Sequence, residues 1–361
     1  MKIVIIITGL GMGGAERQVC DLADQFTQIG HEVFLISLTG ETILKPLSSH
    51  VEIEEINMKK TLFGFIRAYW RVRTLIKKIK PDVVHSHMVH ANIFARLLRL
   101  NCQMKKLICT AHNTTEGGRS RILAYRLTDF LCDISTNVSQ EAVDAFIDQG
   151  AVPPNRMIVM HNGIDANRFI FNLEHRVSLR KQLNLADDTP LILSIGRFNI
   201  QKDYPNLLNA FAISSNYLSK LNLAIIGEGE EKEATEVLAE QLGVTSRIHF
   251  LGLQRNVYEW MSAADLFVLS SAWEGFGLVV AEAMSCERLV VATDCGGVRE
   301  VLGDCGILVS AKDSDALAKA LLEGLSLTQE GVSKIGKFAR ARILKHYSLH
   351  NQAMKWLALY Q

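Results

Sequence analysis

Apolar residues along this chain follow two spacings that take turns. Ile3 to Thr8 is a continuous β-branched run, the pattern of a strand buried on both faces. Beyond a glycine cluster the period changes to a helical one, with Ala15, Val19, Leu22, Ala23 and Phe26 on one face and Gly30 as a stop. Val33–Leu38 reads as the next strand. A helix over about Phe63–Ile79 then leads through Pro81 into a strand at Asp82–His85. A helix over Ala91–Leu100, a strand at Lys106–Ala111, a short strand near Ile134, a helix near Ser139–Gln149 and a strand at Ile158–Met160 follow. The pattern fades over the charged stretch 165–190, which reads as an irregular linker. It restarts with strands at Leu191–Ile195, Asn222–Ile226, Ile248–Phe250, Leu266–Ser270, Leu289–Thr293 and Ile307–Val309. Helices at Pro205–Ser215, Glu230–Leu242, Val257–Ser262 and Leu278–Met284 separate them. Strands alternating with helices imply parallel sheets covered on both faces. A last helix at Asn351–Tyr360, carrying Met354, Trp356, Leu357, Leu359 and Tyr360, is expected to dock back on the first half.

The chain has 361 residues, enough for two domains of roughly 150 residues with a core each. Its net charge of +1 excludes a bulk polycation made for nucleic acid, and no nucleic-acid recognition motif is read in it. Seven widely spaced cysteines without a CxxC suit a reducing compartment, not a disulfide scaffold or a structural zinc site. The opening apolar run is too short for a secretory signal, and no stretch reaches the 18 residues of a membrane span, so the expectation is a cytoplasmic protein, at most peripheral to a membrane.

Gly9, Gly11 and Gly14 satisfy GxGxxG between a strand and a helix, yet the following strand ends Ser37-Leu38-Thr39-Gly40 without the acidic residue that would hold a dinucleotide's ribose. The cluster reads instead as a turn that lets a ligand or a backbone come close. The second half carries more chemistry, at strand ends where open sheets bind ligands. Arg197 and Lys202 leave one strand together and can clamp a diphosphate with charge-assisted donors. Gly227-Glu228-Gly229 permits a tight turn after the next. Glu274 and Glu282 flank a helix start near Gly277, whose backbone N–H groups at Gly277 and Leu278 form an anion cradle. Carboxylates accept from hydroxyls, so two of them beside such a cradle suit a nucleotide sugar.

These elements resemble those of retaining glycosyltransferases of the GT4 family, with the two-domain GT-B fold. The matching segments are Gly11-Met-Gly-Gly-Ala-Glu16, Ala111-His-Asn113, His161-Asn-Gly-Ile-Asp165, Gly196-Arg197 with Lys202, Gly227-Glu-Gly229, Ser262-Ala-Ala-Asp265 and Glu274 to Glu282. One departure is Asp203, where the family usually has glycine; an aspartate there can cap the helix that Pro205 opens. The resemblance implies an α/β protein of two Rossmann-like domains facing across a cleft. Residues 1–165 would bind the acceptor, 166–345 the nucleotide sugar, and 346–361 would form the returning helix. It implies transfer from a nucleotide diphosphate sugar, by prevalence in the family a UDP-sugar, without a metal. Arg197 and Lys202 would hold the diphosphate and Glu282 the ribose. Glu274 and the backbone of Phe276, Gly277 and Leu278 would hold the sugar. Tyr258 would border the base, Gly13 and Gly14 would approach the phosphates, and His112 would sit beside the sugar. A GT-B sugar-nucleotide epimerase and an inactive sugar-nucleotide-binding module stay open as alternatives.

His85, His87 and His90 lack a nearby cysteine or carboxylate to complete a metal set, and no metal is expected. Residues 59–106 hold twelve lysines and arginines against Asp82 alone, interleaved with Phe63, Phe65, Tyr69 and Trp70. A basic amphipathic helix of this kind suits an anionic membrane surface, and with it a lipid-linked glycan acceptor of the O-antigen, capsule or exopolysaccharide type. The sequence leaves the donor sugar, the linkage and the oligomeric state open.

Overall fold

A computed structural model describes residues 1–115 and 117–361, as two compact units. The first comprises Met1–Gly163 and Leu349–Gln361; the second comprises Ile164–Ser348.

The first unit is built on seven parallel strands: β1 (Lys2–Ile7), β2 (Glu32–Ser37), β3 (Glu52–Glu55), β4 (Val83–His87), β5 (Leu107–Thr110), β6 (Ile134–Asn137) and β7 (Met157–Val159), in the order β3-β2-β1-β4-β5-β6-β7. Its helices are α1 (Gly14–Gln28), α2 (Leu62–Ile79), α3 (Val89–Arg99), α4 (Arg119–Thr128) and α5 (Gln140–Asp148). Residues Ile3–Ile7 are wholly buried, and their alternation divides the core. Ile3, Ile5 and Ile7 pack with Val19, Leu22 and Phe26 of α1, while Val4 and Ile6 pack with Val72 and Ile76 of α2 and Phe94 of α3.

The second unit has six parallel strands: β8 (Leu191–Ile195), β9 (Asn222–Ile226), β10 (Ile248–Phe250), β11 (Leu266–Leu269), β12 (Leu289–Asp294) and β13 (Ile307–Ser310), in the order β10-β9-β8-β11-β12-β13. Helix α6 (Leu173–Gln182) precedes them, α7 (Tyr204–Tyr217), α8 (Lys232–Gln241), α9 (Val257–Ala263), α10 (Leu278–Ser285) and α11 (Val298–Leu302) lie between them, and α12 (Ser314–Ser326) and α13 (Gln329–His346) follow; the last helix, α14 (Leu349–Tyr360), belongs to the first unit. Both units are thus Rossmann-like α/β domains.

The stretch 165–190 is not irregular. Asn172 caps α6 by accepting from Glu174 N and His175 N. The packed face of α6 is arginine, which hides its period: Arg176 and Arg180 both pair with Asp265 and donate to the Ala263 carbonyl. Helices α12 and α13 also add to the elements read from the sequence. Asp203 caps α7 as expected, accepting from Asn206 N, and does so with φ +47°, a left-handed conformation that aspartate tolerates and glycine favours.

Helix α14 packs on the first unit, as its apolar face predicts. Trp356, Leu357 and Tyr360 join the core beside Phe26, and Trp356 lies 4.5 Å from the His85 ring. Trp356→Ala is expected to cost about 3–5 kcal/mol, read as a lowered urea midpoint for the first unit.

Candidate functional site

In the second sheet the chain runs from β8 outward to β9 on one side and later returns to β11 on the other, so the carboxyl ends of β8 and β11 mark the switch point where open sheets leave a crevice. Two loops meet there. The loop after β8 ends in a single 3-10 turn, Ile200–Lys202, held by Asn199 accepting from Lys202 N. It is clipped to the loop after β11: Ala272 N donates to the Gln201 carbonyl (2.8 Å), and Ser270 Oγ donates to that of Lys202 (2.8 Å). These bonds bring the Lys202 ammonium onto the Glu274 carboxylate as an ion pair. Ser271 Oγ donates to the same carboxylate oxygen at 2.7 Å. Glu274 is only 7% exposed, a place where a carboxylate needs such partners.

Glycines let these loops close on one another. The Lys202 stem runs over Gly196, where a Cβ would stand 2.9–3.1 Å from three of its carbons. Gly227 takes φ +154° with its Cα face against the Gly196 carbonyl; a Cβ would lie 1.9 Å from that oxygen. Gly296, at φ +55°, approaches the Glu274 carbonyl equally closely. Tyr204 donates to the Gly196 carbonyl at 2.9 Å and stacks on Phe198. Ser271, Tyr204 and Gly296 escaped the sequence reading: Ser271 and Tyr204 bond groups three and eight residues away that no motif marks, and Gly296 meets Glu274 from the loop after β12.

Gly277, at φ +83°, is the N-cap of α10 and no side chain caps that helix. Glu282 stands in the second turn of α10, about 7 Å along the axis from Gly277, and is half-buried. Arg197 is exposed at the end of β8. The Phe276 side chain is buried edge-on against Tyr347, so it offers the site only its backbone. Tyr258 lies in α9 with its ring against Phe169 and His175 and the Arg168 guanidinium above it.

The first sheet has its own switch point at β1 and β4. Gly13 is the extended N-cap of α1, Gly14 its exposed first residue, and Glu16 lies in its first turn. Gly9 faces the Thr39 carbonyl, where a Cβ would come within 2.8 Å, so that glycine serves backbone packing. His112, after β5, joins a file of imidazoles. Its Nε2 is 3.0 Å from His87 Nδ1, and the His87 ring lies 4.0 Å from that of His85. His85 bonds the Tyr360 hydroxyl and Thr110 Oγ1, both at 2.6 Å, so its two nitrogens are engaged. Among the described residues no group of three or more His, Cys, Asp or Glu is placed to hold a metal.

Burial holds the file neutral, with His85 pushed down to about 3, His112 to about 4 and His87 well below its ordinary value. An unfolded chain takes up protons near pH 6.5 that the folded one refuses. Stability is therefore full above pH 6.5 and falls as the pH drops toward 4 and then 3, to be seen as a lower urea midpoint at pH 5 than at pH 7.5.

The basic stretch 59–106 is less uniformly exposed than its composition suggests. Arg96 is fully buried, paired with Asp129 and under the Tyr125 ring. Arg71, Arg99 and Lys105 pair with Glu54, Asp133 and Asp82. What remains on the surface is the outer face of α2, where Leu62, Phe63, Ile66 and Trp70 lie among exposed Lys59, Lys60, Arg67 and Lys78. Helix α4 adds exposed Arg119, Arg121 and Arg126 with Leu123 and Leu127. Among the described residues no helix is long and apolar enough to cross a membrane.

Residues 12–168 match the family described as Glycosyltransferase Family 4, and residues 176–342 match Glycosyl transferases group 1. The chain is 24% identical to the N-acetyl-alpha-D-glucosaminyl L-malate synthase of Bacillus anthracis, covering 100% of this chain and 97% of that protein. It is also 24% identical to a Campylobacter jejuni protein, the N-acetylgalactosamine-N,N'-diacetylbacillosaminyl-diphospho-undecaprenol 4-alpha-N-acetylgalactosaminyltransferase, over 99% of both chains. Among solved structures it resembles Anabaena Alr3699/HepE in complex with UDP and glucose, with a TM-score of 0.88, 21% identity and 99% coverage of both chains. With this fold and matches along both of its units, the chain is a GT-B glycosyltransferase related to family 4 and to group 1, transferring sugar from a nucleotide-sugar donor.

Proposed function

We propose that this chain is a retaining, metal-independent transferase that moves a sugar from a UDP-sugar to a lipid-linked glycan at the cytosolic face of a membrane. The observation that carries the donor site is the Lys202–Glu274 pair at the second sheet's switch point, beside the N-terminus of α10. In this reading the second unit binds the donor. Arg197 and Lys202 hold the diphosphate, and Glu282 takes the ribose hydroxyls. Glu274 takes those of the sugar, with the Phe276–Leu278 backbone beside it. Tyr258 borders the base, Gly13 and Gly14 face the phosphates, and His112 faces the sugar. The bond from the sugar's anomeric carbon to the β-phosphate oxygen breaks through an oxocarbenium-like species. Positive charge from Arg197 and Lys202 stabilises the leaving phosphate, where a metal ion would otherwise serve. The acceptor oxygen bonds the same face of the sugar, and its proton passes to the departing phosphate oxygen, so no side-chain base is required.

Exposed apolar side chains framed by cations on α2 support the membrane-bound acceptor over a small soluble one. Two measurements test the reading. UDP is expected to raise the melting temperature, with or without Mg²⁺, where GDP and ADP do not, and Arg197→Ala is expected to abolish the shift. Absence of any nucleotide shift overturns the donor site, and binding without turnover of any UDP-sugar favours the inactive binding module. Separately, the protein is expected to sediment with phosphatidylglycerol vesicles at low salt and to be released by Phe63→Ser/Trp70→Ser. Failure to sediment overturns the membrane part alone.

A further inference from the structure

We propose that Ser271 is a positioning residue for the donor sugar: it holds one oxygen of the Glu274 carboxylate, so that the other, Oε2, is the one left to accept from a sugar hydroxyl. The inference rests on the reading of Glu274 as the sugar's acceptor, and adds to it the group that aims the carboxylate and the oxygen that is aimed.

The two oxygens of Glu274 are not equally engaged. Oε1 takes both the Lys202 ammonium and the Ser271 hydroxyl, the latter at 2.7 Å. Oε2 has no hydrogen bond among the described residues, yet it is not sealed in: Glu274 keeps 9% of its side-chain surface exposed, and Oε2 shares in it. A carboxylate accepts through both oxygens, so the uncommitted one is the place for a hydroxyl. Lys202 by itself does not fix this choice. Its ammonium is a point charge on a flexible stem, and either oxygen of a turning carboxylate would serve it. On the proposed reading it must also serve the diphosphate once the donor arrives. Ser271 has neither freedom. It is fully buried, its hydroxyl makes no other bond among the described residues, and its carbonyl accepts from Thr293 Oγ1 of β12 at 2.6 Å. Glu274 is tethered from the same side: Gly297 N donates to the neighbouring Gly275 carbonyl at 3.2 Å, and Gly296 lies against the Glu274 carbonyl. Serine and carboxylate thus stand three residues apart on one loop braced by β12, and their bond does not depend on where Lys202 turns. Without it Glu274 is free to swing Oε2 onto the ammonium, and the sugar and the phosphate then compete for the two charges of the pair.

The test titrates the full chain with UDP and follows UDP release from UDP-glucose, UDP-galactose and their N-acetyl forms, using whichever the wild type consumes. Ser271→Ala is expected to leave UDP affinity within about twofold and to lower kcat about 10- to 50-fold. Ser271→Thr keeps the hydroxyl and is expected to return kcat to within about fivefold of wild type, its folding checked by urea midpoint. In a Glu274→Gln background the carboxylate is already gone, so adding Ser271→Ala is expected to cost less than about threefold more, and this cycle decides the matter even if the threonine variant does not fold. Unchanged kcat in Ser271→Ala, equal losses in kcat and UDP affinity, or the full loss repeated in the Glu274→Gln background overturns the positioning role. Wild-type turnover by Glu274→Gln instead overturns the reading of Glu274 as the sugar's acceptor, and with it this proposal, while UDP binding keeps the donor site in place.

Discussion

Replacing Lys202 with alanine is expected to lower kcat by about 10²–10³ and, separately, to destabilise the second unit by on the order of 3 kcal/mol. The two losses have different origins, and a second substitution separates them. Glu274 is nearly enclosed, and with Lys202 gone only Ser271 remains of its two recorded partners. Much of the stability loss is therefore the cost of a stranded carboxylate. Pairing Lys202→Met with Glu274→Gln removes the charge on both sides and keeps the volume, so the urea midpoint should recover most of the way. Turnover should not recover, because on the proposed reading the cation for the leaving phosphate is not restored. A double variant that regained turnover along with stability would show that the pair serves only to hold the loops together.

Gly227→Ala is expected to be among the most damaging changes at the site, costing about 4–5 kcal/mol, at the severe end for a single methyl. The methyl would stand 1.9 Å from the Gly196 carbonyl oxygen at φ +154°. Both sides of the collision are backbone, tied by Gly196 N to the Ile226 carbonyl and by Gly227 N to that of Gly252. Relief requires the loop after β8 to move, and that loop carries Arg197 and Lys202. Loss of UDP affinity should therefore accompany the loss of stability. At Gly243, where a Cβ meets nothing within 4 Å, alanine meets only the backbone preference at φ +68° and should cost about 1 kcal/mol without touching UDP binding. Urea unfolding and UDP titration of the two variants give the comparison.

The strands were legible because Ile3–Ile7, Leu191–Ile195 and Leu289–Val291 are apolar on both faces, and no helix of a parallel sheet disguises that. The returning helix was legible for a similar reason, since its aromatics sit on one face. What stayed hidden was packing done by charge. Helix α6 buries arginines, which carry no apolar period, and Arg96 counts as a surface cation until Asp129, far along the chain, is seen beside it. At the site, residue type and position after a strand pointed to Lys202 and Glu274. Their direct pairing could not be read, because it depends on the neighbourhood of β8 and β11, set by the sheet order and not by distance along the chain. Two members of the imidazole file, His85 and His87, were visible as neighbours on one strand, whereas the approach of His112 and the link to Tyr360 needed the fold.

That docking sets an order of assembly. The first unit is discontinuous: its sheet is finished by residue 163, but Trp356, Leu357 and the Tyr360 hydroxyl arrive only after all of Ile164–Ser348 has been made. A chain emerging from the ribosome thus completes its later unit first, from one unbroken segment, while the earlier one waits with Phe26 and His85 uncovered. The earlier domain in sequence is the later one to mature, and throughout that interval it is the part of the nascent chain most in need of a chaperone.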